Sequence, residues 1–197
     1  MSVENDMTEA KRDATEYIYM RSGKVIYPGE LRADDVVLSD IAFGLSRIFR
    51  FNGQSKISVL RHSLAIANRL TNESKRVQLL ALFHDAAEAY MMDVPVPLKP
   101  FVNDDWHLAY MQAELTILSK YGLCPTPEER LIVTRMDKEL VCYEMSACLH
   151  EDCMRDPNSM MRYPLTSSGE VYPLAYHSYA ADHDLIGIFV DKYFSLL

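Results

Sequence analysis

ALFHDAAEAYMMDVPVPLKP, Ala81 to Pro100, carries the reading of the chain. Its first half continues the apolar run KRVQLLALF and reads as one helix through Met92, with a broad apolar face. A helix that only packed would not need His84, Asp85 and Glu88 within five residues. On a helix, positions i and i+4 share a face and i+1 lies about 100° around it. The pattern therefore predicts His84 and Glu88 one turn apart, with Asp85 beside them. Imidazole nitrogen and carboxylate oxygen together suit a borderline divalent ion. Asp93 follows, and Pro95 and Pro97 then break the helix into an irregular, stiff connector.

Outward from this stretch the punctuation is helical. Asn72 and Ser74 open the helix just described, and ISVLRHSLAIANRL precedes it as a mostly buried helix. Ser39-Asp40 is expected to cap a helix through IAFGLSRIFRF, which Asn52-Gly53 ends. Downstream, a helix from Asp105 to Tyr121 stops at Gly122, and Thr126-Pro127 starts a long one through the Cys142–Cys153 region. A polar loop is expected over 156–169 and a last helix over roughly 176–194. Near the N-terminus, Tyr17–Met20 and Lys24–Tyr27 around Ser22-Gly23 carry a hairpin signal. The fold class is mainly α: a compact helical bundle with a small N-terminal β-hairpin. Residues 1–13 read as a mobile arm and 14–197 as a single domain.

The bulk numbers narrow the function. With 49% apolar and 24% charged residues in 197, the chain reads as an ordinary globular domain. A net charge of -8 argues against a nucleic-acid polymer or an anionic membrane surface as partner, because both need a positive footprint. A small phosphorylated ligand needs only a few local cations. No apolar run approaches the ~18 residues of a membrane span. The polar start MSVENDMTEAKRD and four cysteines without metal or disulfide spacing point to the cytoplasm.

Two ligands on one turn do not complete a metal site. His62, in an otherwise apolar helix, and Asp137, beside the apolar stripe Leu140, Val141 and Met145, are the candidates to complete it. Helical bundles assemble metal centres in this way, from inward side chains on facing helices.

The order His62, then HDAAEAYMMDVPVPLK, then Asp137 resembles the HD-domain metal-dependent phosphohydrolases. Within them it is similar to the small deoxynucleotide phosphohydrolases: the 5'-deoxynucleotidases and the phage dATP triphosphohydrolase group. RFNGQ at Arg50–Gln54 and SVLRHSL at Ser58–Leu64 extend the likeness, which covers roughly residues 17 to 148. The resemblance implies one divalent transition metal (Zn, Co or Mn) on His62, His84, Asp85 and Asp137. It implies Glu88 as the acid/base that handles the attacking water, with Asp93 assisting. It implies Arg50 at the phosphate or sugar, Phe51 stacked on the base, and Pro97 and Lys99 lining the pocket. Arg47 competes with Arg50 for the phosphate. The chain departs from the family in a shorter loop before His62, in Arg61, and in Gln54 where many members have His.

The implied enzyme cleaves the 5' phosphoester of a 2'-deoxynucleotide and releases the deoxynucleoside. The favoured substrate is a triphosphate, dATP giving deoxyadenosine and triphosphate, in a bacterial cell or phage-infected host. The alternatives are a 5'-deoxynucleotidase on monophosphates and, in another class, a non-catalytic nucleotide-sensing module. His107, His150, His177 and His183 read as surface or structural. The family implies a homo-oligomer, and IFVDKYFSLL either serves that interface or docks on the bundle.

Overall fold

A computed structural model describes residues 17–148 and 182–197. The expected arm over 1–13 and loop over 156–169 lie outside these residues, as do His150, Cys153 and His177. Strand β1 (Ile18–Tyr19) pairs antiparallel with β2 (Val25–Ile26), Ile18 opposite Ile26 and Tyr19 opposite Val25. Gly23 makes the turn at φ +86°, where a Cβ would be strained. The sheet has two strands among the described residues, so the mainly helical class with a small hairpin holds.

The helices are α1 (Leu38–Arg47), α2 (Val59–Arg69), α3 (Lys75–Phe83), the short α4 (Glu88–Met91), α5 (Asp104–Lys120), α6 (Pro127–Cys148) and α7 (Asp182–Leu196). Side-chain oxygens start several of them. Ser58 accepts from the Arg61 N–H, Ser74 from Val77 and Asn103 from Trp106. Thr126 and Glu129 cap α6 reciprocally, at 3.2 and 2.8 Å. Helix α3 is the centre of the bundle: every residue from Val77 to Phe83 is buried, as expected of a helix covered on all sides. It packs on α2, α6 and α7. The Phe83 ring meets Tyr121, Phe189 and Tyr193 at centroid distances of 4.6, 5.9 and 5.8 Å. Phe189 and Leu196 thus dock the final helix on the bundle.

Three local expectations change. Asp40 does not cap α1: the N-cap position is Val37, with no side-chain capping bond, and Asp40 lies buried in the first turn, where the Ser22 N–H and hydroxyl donate to it at 2.9 and 2.6 Å. That bond ties the hairpin turn to the helix. Helix α1 ends at Arg47 rather than running through Phe51, because the chain turns back on itself there. Arg50 N–H donates to Ile57 O and Val59 N–H to Ile48 O, both at 2.9 Å, and Phe49 bridges Ser58. The connector after Met92 is a 3-10 helix, Val96–Phe101, rather than irregular chain.

Gly44 fixes how closely α1 approaches α4. A Cβ there would lie 2.9 Å from Ala89 Cβ and 3.1 Å from Ala89 Cα, with backbone behind it. Gly44→Ala is therefore expected to destabilise the protein by about 1–3 kcal/mol through overpacking, less the ~1 kcal/mol by which alanine favours a helix. Urea unfolding checks this; an unchanged or raised midpoint would show that α4 simply moves away.

Candidate metal centre

The helix expected through Met92 does not continue. Beyond Phe83 the backbone tightens into i→i−3 bonds: Ala86 N–H to Phe83 O, Glu88 N–H to Asp85 O, and Tyr90 N–H to Ala87 O. The cause is local. His84 Nδ1 donates to the Ala81 carbonyl at 2.8 Å, the acceptor that a continued α-helix would use for the Asp85 N–H. The turn at 84–87 then presents His84 and Asp85 inward, and Glu88 starts α4 as a buried side chain.

Ligand atoms of His62, His84 and Asp85 lie within 4.8 Å of one another. His62, fully buried on α2, directs Nε2 at Asp85 Oδ2 (3.9 Å) and at Asp137 Oδ1 (3.0 Å). His84 Nε2 is 2.9 Å from Asp85 Oδ2, yet it is buried without an aligned hydrogen-bond partner. Since Nδ1 of His84 already donates to a carbonyl, Nε2 turns its lone pair toward a carboxylate in the neutral ring. Two acceptors that face each other at this distance need a cation or a proton between them. Asp137, on α6, joins the group through His62.

Arg50 closes one side. Its guanidinium is 13% exposed and lies 2.8 Å from Glu144, 3.7 Å from Asp85 and 4.0 Å from Asp137. Three carboxylates thus face one guanidinium, an excess of two negative charges in a poorly solvated place. The nitrogen and oxygen donors of His62, His84 and Asp85, set in that excess of negative charge, could hold a metal ion. Of the four expected ligands, His62, His84 and Asp85 form one group, and Asp137 reaches it through His62, with Arg50 beside them.

Electrostatics follows the packing. Burial alone would lower His84, but Asp85, Asp137 and the Ala81 carbonyl outweigh it and hold it up at about 9. Burial raises Asp85, yet His84, His62 and Arg50 keep it below the usual carboxylate range. Asp137 is likewise lowered, chiefly by its bond to His62 against the effect of burial. Glu88 goes the other way: burial, with Asp85 and Asp93 nearby, pushes it up to about 10 against the pull of Arg50 and Lys99. Asp93 is raised by burial as well.

These shifts predict a pH response of the metal-free protein. His84 and Glu88 hold protons in the fold that they would lose when unfolded, so their contribution is present at low pH. It is lost as pH rises toward about 9 and about 10. The lowered Asp85 and Asp137 contribute above the ordinary aspartate range and lose that contribution as pH falls. Maximal stability is therefore expected near about pH 4, below which the aspartate contribution fades and above which the unfolded glutamate begins to ionise. A metal competes with the His84 proton, so zinc affinity is expected to rise from about pH 6 to about pH 8.5. Urea midpoints with chelator and zinc titrations over that range check both; an affinity flat with pH would remove His84 from the ligand set.

The other expected residues divide. Arg47 turns away, its guanidinium 5.3 Å from the Phe43 ring, so Arg50 alone of the two arginines reaches the cluster. Phe51 is half-buried at φ +58°, with Arg50 Cζ 5.8 Å from its ring. Pro97 and Lys99 are exposed on the 3-10 helix, Lys99 near enough to act on Glu88 and Asp93. A cavity of about 180 Å³ opens beside His84 and Asp137, between Leu80, Leu118 and Val133, with the Glu114–Arg130 ion pair (2.8 Å) in its lining. Two residues escaped the sequence reading. Tyr110 is raised by burial and then by the charges of Glu88 and Asp85, which places its phenol near them. Glu144 accepts from His62 Nδ1 at 2.8 Å. Its signal was a glutamate two helical turns after Asp137 in an apolar stripe.

No family model matches the chain. It is 37% identical over 111 residues to the uncharacterized protein YfdR of Escherichia coli, across 55% of this chain and 60% of the relative. It is 29% identical over 109 residues to an uncharacterized protein of Rhodobacter capsulatus, across 50% of this chain and 56% of the relative. The chain thus spans somewhat over half the length of the curated relatives it matches.

Proposed function

We propose that the chain is a divalent-metal-dependent phosphohydrolase of 2'-deoxynucleotides, a member of the HD-domain group that its motif order resembles. One observation carries the reading: two imidazoles and two carboxylates from three separate segments converge, in excess negative charge, near the buried carboxyl of Glu88. His62, His84, Asp85 and Asp137 would hold the metal. When bound there, a divalent ion polarises a phosphoryl oxygen and makes water a stronger acid.

The chain's own residues supply the rest. Arg50, pinned against Glu144, offers its outer nitrogens to a phosphate oxygen or the sugar, and Lys99 adds a second local cation. Hydrolysis forms a bond from a water oxygen to the α-phosphorus and breaks the bond to the 5'-oxygen. Glu88, buried and under the charges of Asp85 and Asp93, would be the acid that gives its proton to the departing 5'-oxygen, and Asp93 would take up the proton of the attacking water. The cavity beside His84 and Asp137 provides room for a non-reacting part of the substrate. A triphosphate, dATP foremost, is the favoured substrate, monophosphates the alternative; the protein is read as a cytoplasmic homo-oligomer.

The test is incubation of the protein, loaded in turn with Mn, Co and Zn, with all four deoxynucleotides as mono- and triphosphates. Deoxynucleoside released with intact triphosphate supports the favoured substrate, and turnover of monophosphates alone makes the protein a 5'-deoxynucleotidase. Metal bound without turnover of any of them would overturn the enzymatic reading in favour of a sensing module.

A further inference from the structure

We propose that Glu144 is the positioning residue of the centre, one carboxylate that sets both the imidazole of His62 and the guanidinium of Arg50. This rests on the metal-centre reading above. Glu144 and His62 are both fully buried. The two oxygens of Glu144 divide the work: Oε1 lies 2.8 Å from His62 Nδ1 and Oε2 lies 2.8 Å from Arg50 Nε. Each ring nitrogen of His62 faces a carboxylate oxygen, Nδ1 that of Glu144 at 2.8 Å and Nε2 that of Asp137 at 3.0 Å; a metal on Nε2 would leave the ring hydrogen on Nδ1, donated to Glu144. Arg50 makes its close ion pair through its inner nitrogen, although that N–H is not aligned on the Glu144 oxygen, and its outer two nitrogens lie on the Asp85 and Asp137 side. Helix α6 thereby contributes twice, Asp137 as ligand and Glu144 behind the opposite ligand, two turns apart on one face.

A glutamate that merely joined α6 to α2 would need one bond, and either oxygen would serve. Here Oε1 is hydrogen-bonded to His62 and Oε2 is ion-paired with Arg50, two groups that converge on the same cluster. Carboxylates behind ligating histidines fix ring orientation, and their loss costs about 10–100-fold in metal affinity.

The experiment uses zinc alone as the probe, with affinity read by chelator competition and the hydrogen on His62 Nδ1 by nitrogen-15 spectra of the zinc-loaded protein. Glu144→Ala is expected to weaken zinc by about 10–100-fold and to lose the Nδ1 hydrogen signal. Glu144→Gln, whose amide oxygen still accepts, is expected to keep that signal and recover most of the affinity. If Glu144→Ala leaves Arg50 uncompensated and fails to fold, R50M/E144Q is compared with R50M/E144L. Both lack the guanidinium, but only the first retains an acceptor, and the same affinity gap is expected between them. Equal zinc affinity within the folded pair, with an unchanged His62 signal, would overturn the proposal while leaving the centre intact. Wild-type protein that binds no zinc, cobalt or manganese would overturn the centre and this inference with it.

Discussion

Asp85→Ala is expected to yield a folded helical protein that no longer retains divalent metal and no longer turns over any deoxynucleotide. Asp85 Oδ2 lies 2.9 Å from His84 Nε2, 3.7 Å from Arg50 and 3.9 Å from His62 Nε2, so both imidazoles and the guanidinium face this one oxygen. Removing it leaves two imidazoles with only Asp137, which touches His62 alone of the two at hydrogen-bond distance. The loss should exceed the 10–100-fold that removal of a supporting partner costs. The fold should survive, because Asp85 sits in the turn after α3 and its backbone carbonyl, not its side chain, serves Glu88. Asp40→Ala supplies the contrast. That carboxylate is also buried, but its partner is Ser22, so its loss should lower the unfolding midpoint and leave metal content unchanged. Metal analysis of the two purified variants decides it. Wild-type metal content in Asp85→Ala would end the proposed ligand set.

How much of this was legible depends on the kind of signal. His84, Asp85 and Glu88 announce themselves because polar groups interrupt an apolar run, and Asp137 and His62 because each stands alone in one. The geometry of the HD turn was not legible. A period of 3.6 carries no trace of a side chain, His84, taking the Ala81 carbonyl from the backbone. The end of α1 failed similarly: IFRF has helical spacing, but the antiparallel bridge from Phe49 to Ser58 takes over its backbone bonds. Glu144 failed for another reason. A glutamate in a helix usually faces water, and only the three-dimensional convergence of α2 and α6 shows that this one is buried against two partners. The rivalry between Arg47 and Arg50 was also beyond sequence, since it turns on the 3.7 Å from Arg50 to Asp85 and on Phe43 drawing Arg47 aside.

Glu88→Gln separates holding a metal from using it. Glu88 belongs to no pair within ion-pair distance of a described cation, and its Oε2 is buried without a hydrogen-bond partner among the described residues. A buried carboxyl of this kind, pushed up to about 10 by burial and by Asp85 and Asp93, keeps its proton at neutral pH. That is the state a donor to a departing 5'-oxygen requires. Glutamine preserves shape and hydrogen-bonding capacity but has no proton to transfer. Metal content should stay at the wild-type level while kcat falls by about 10²–10⁴, the usual worth of general acid–base help. A second readout needs no substrate. In the wild type, ionisation of Glu88 in the unfolded chain but not in the fold makes stability fall as pH rises from the ordinary glutamate range toward about 10. Glutamine removes that share of the slope, so the metal-free variant should lose less stability between about pH 6 and about pH 9 than the wild type does. A flattened slope with full activity would place Glu88 in the buried cluster and move the proton role to Asp93. An unchanged slope with lost activity would keep the catalytic role but show that the carboxyl is ionised in the fold, as a base for the water rather than an acid for the leaving oxygen.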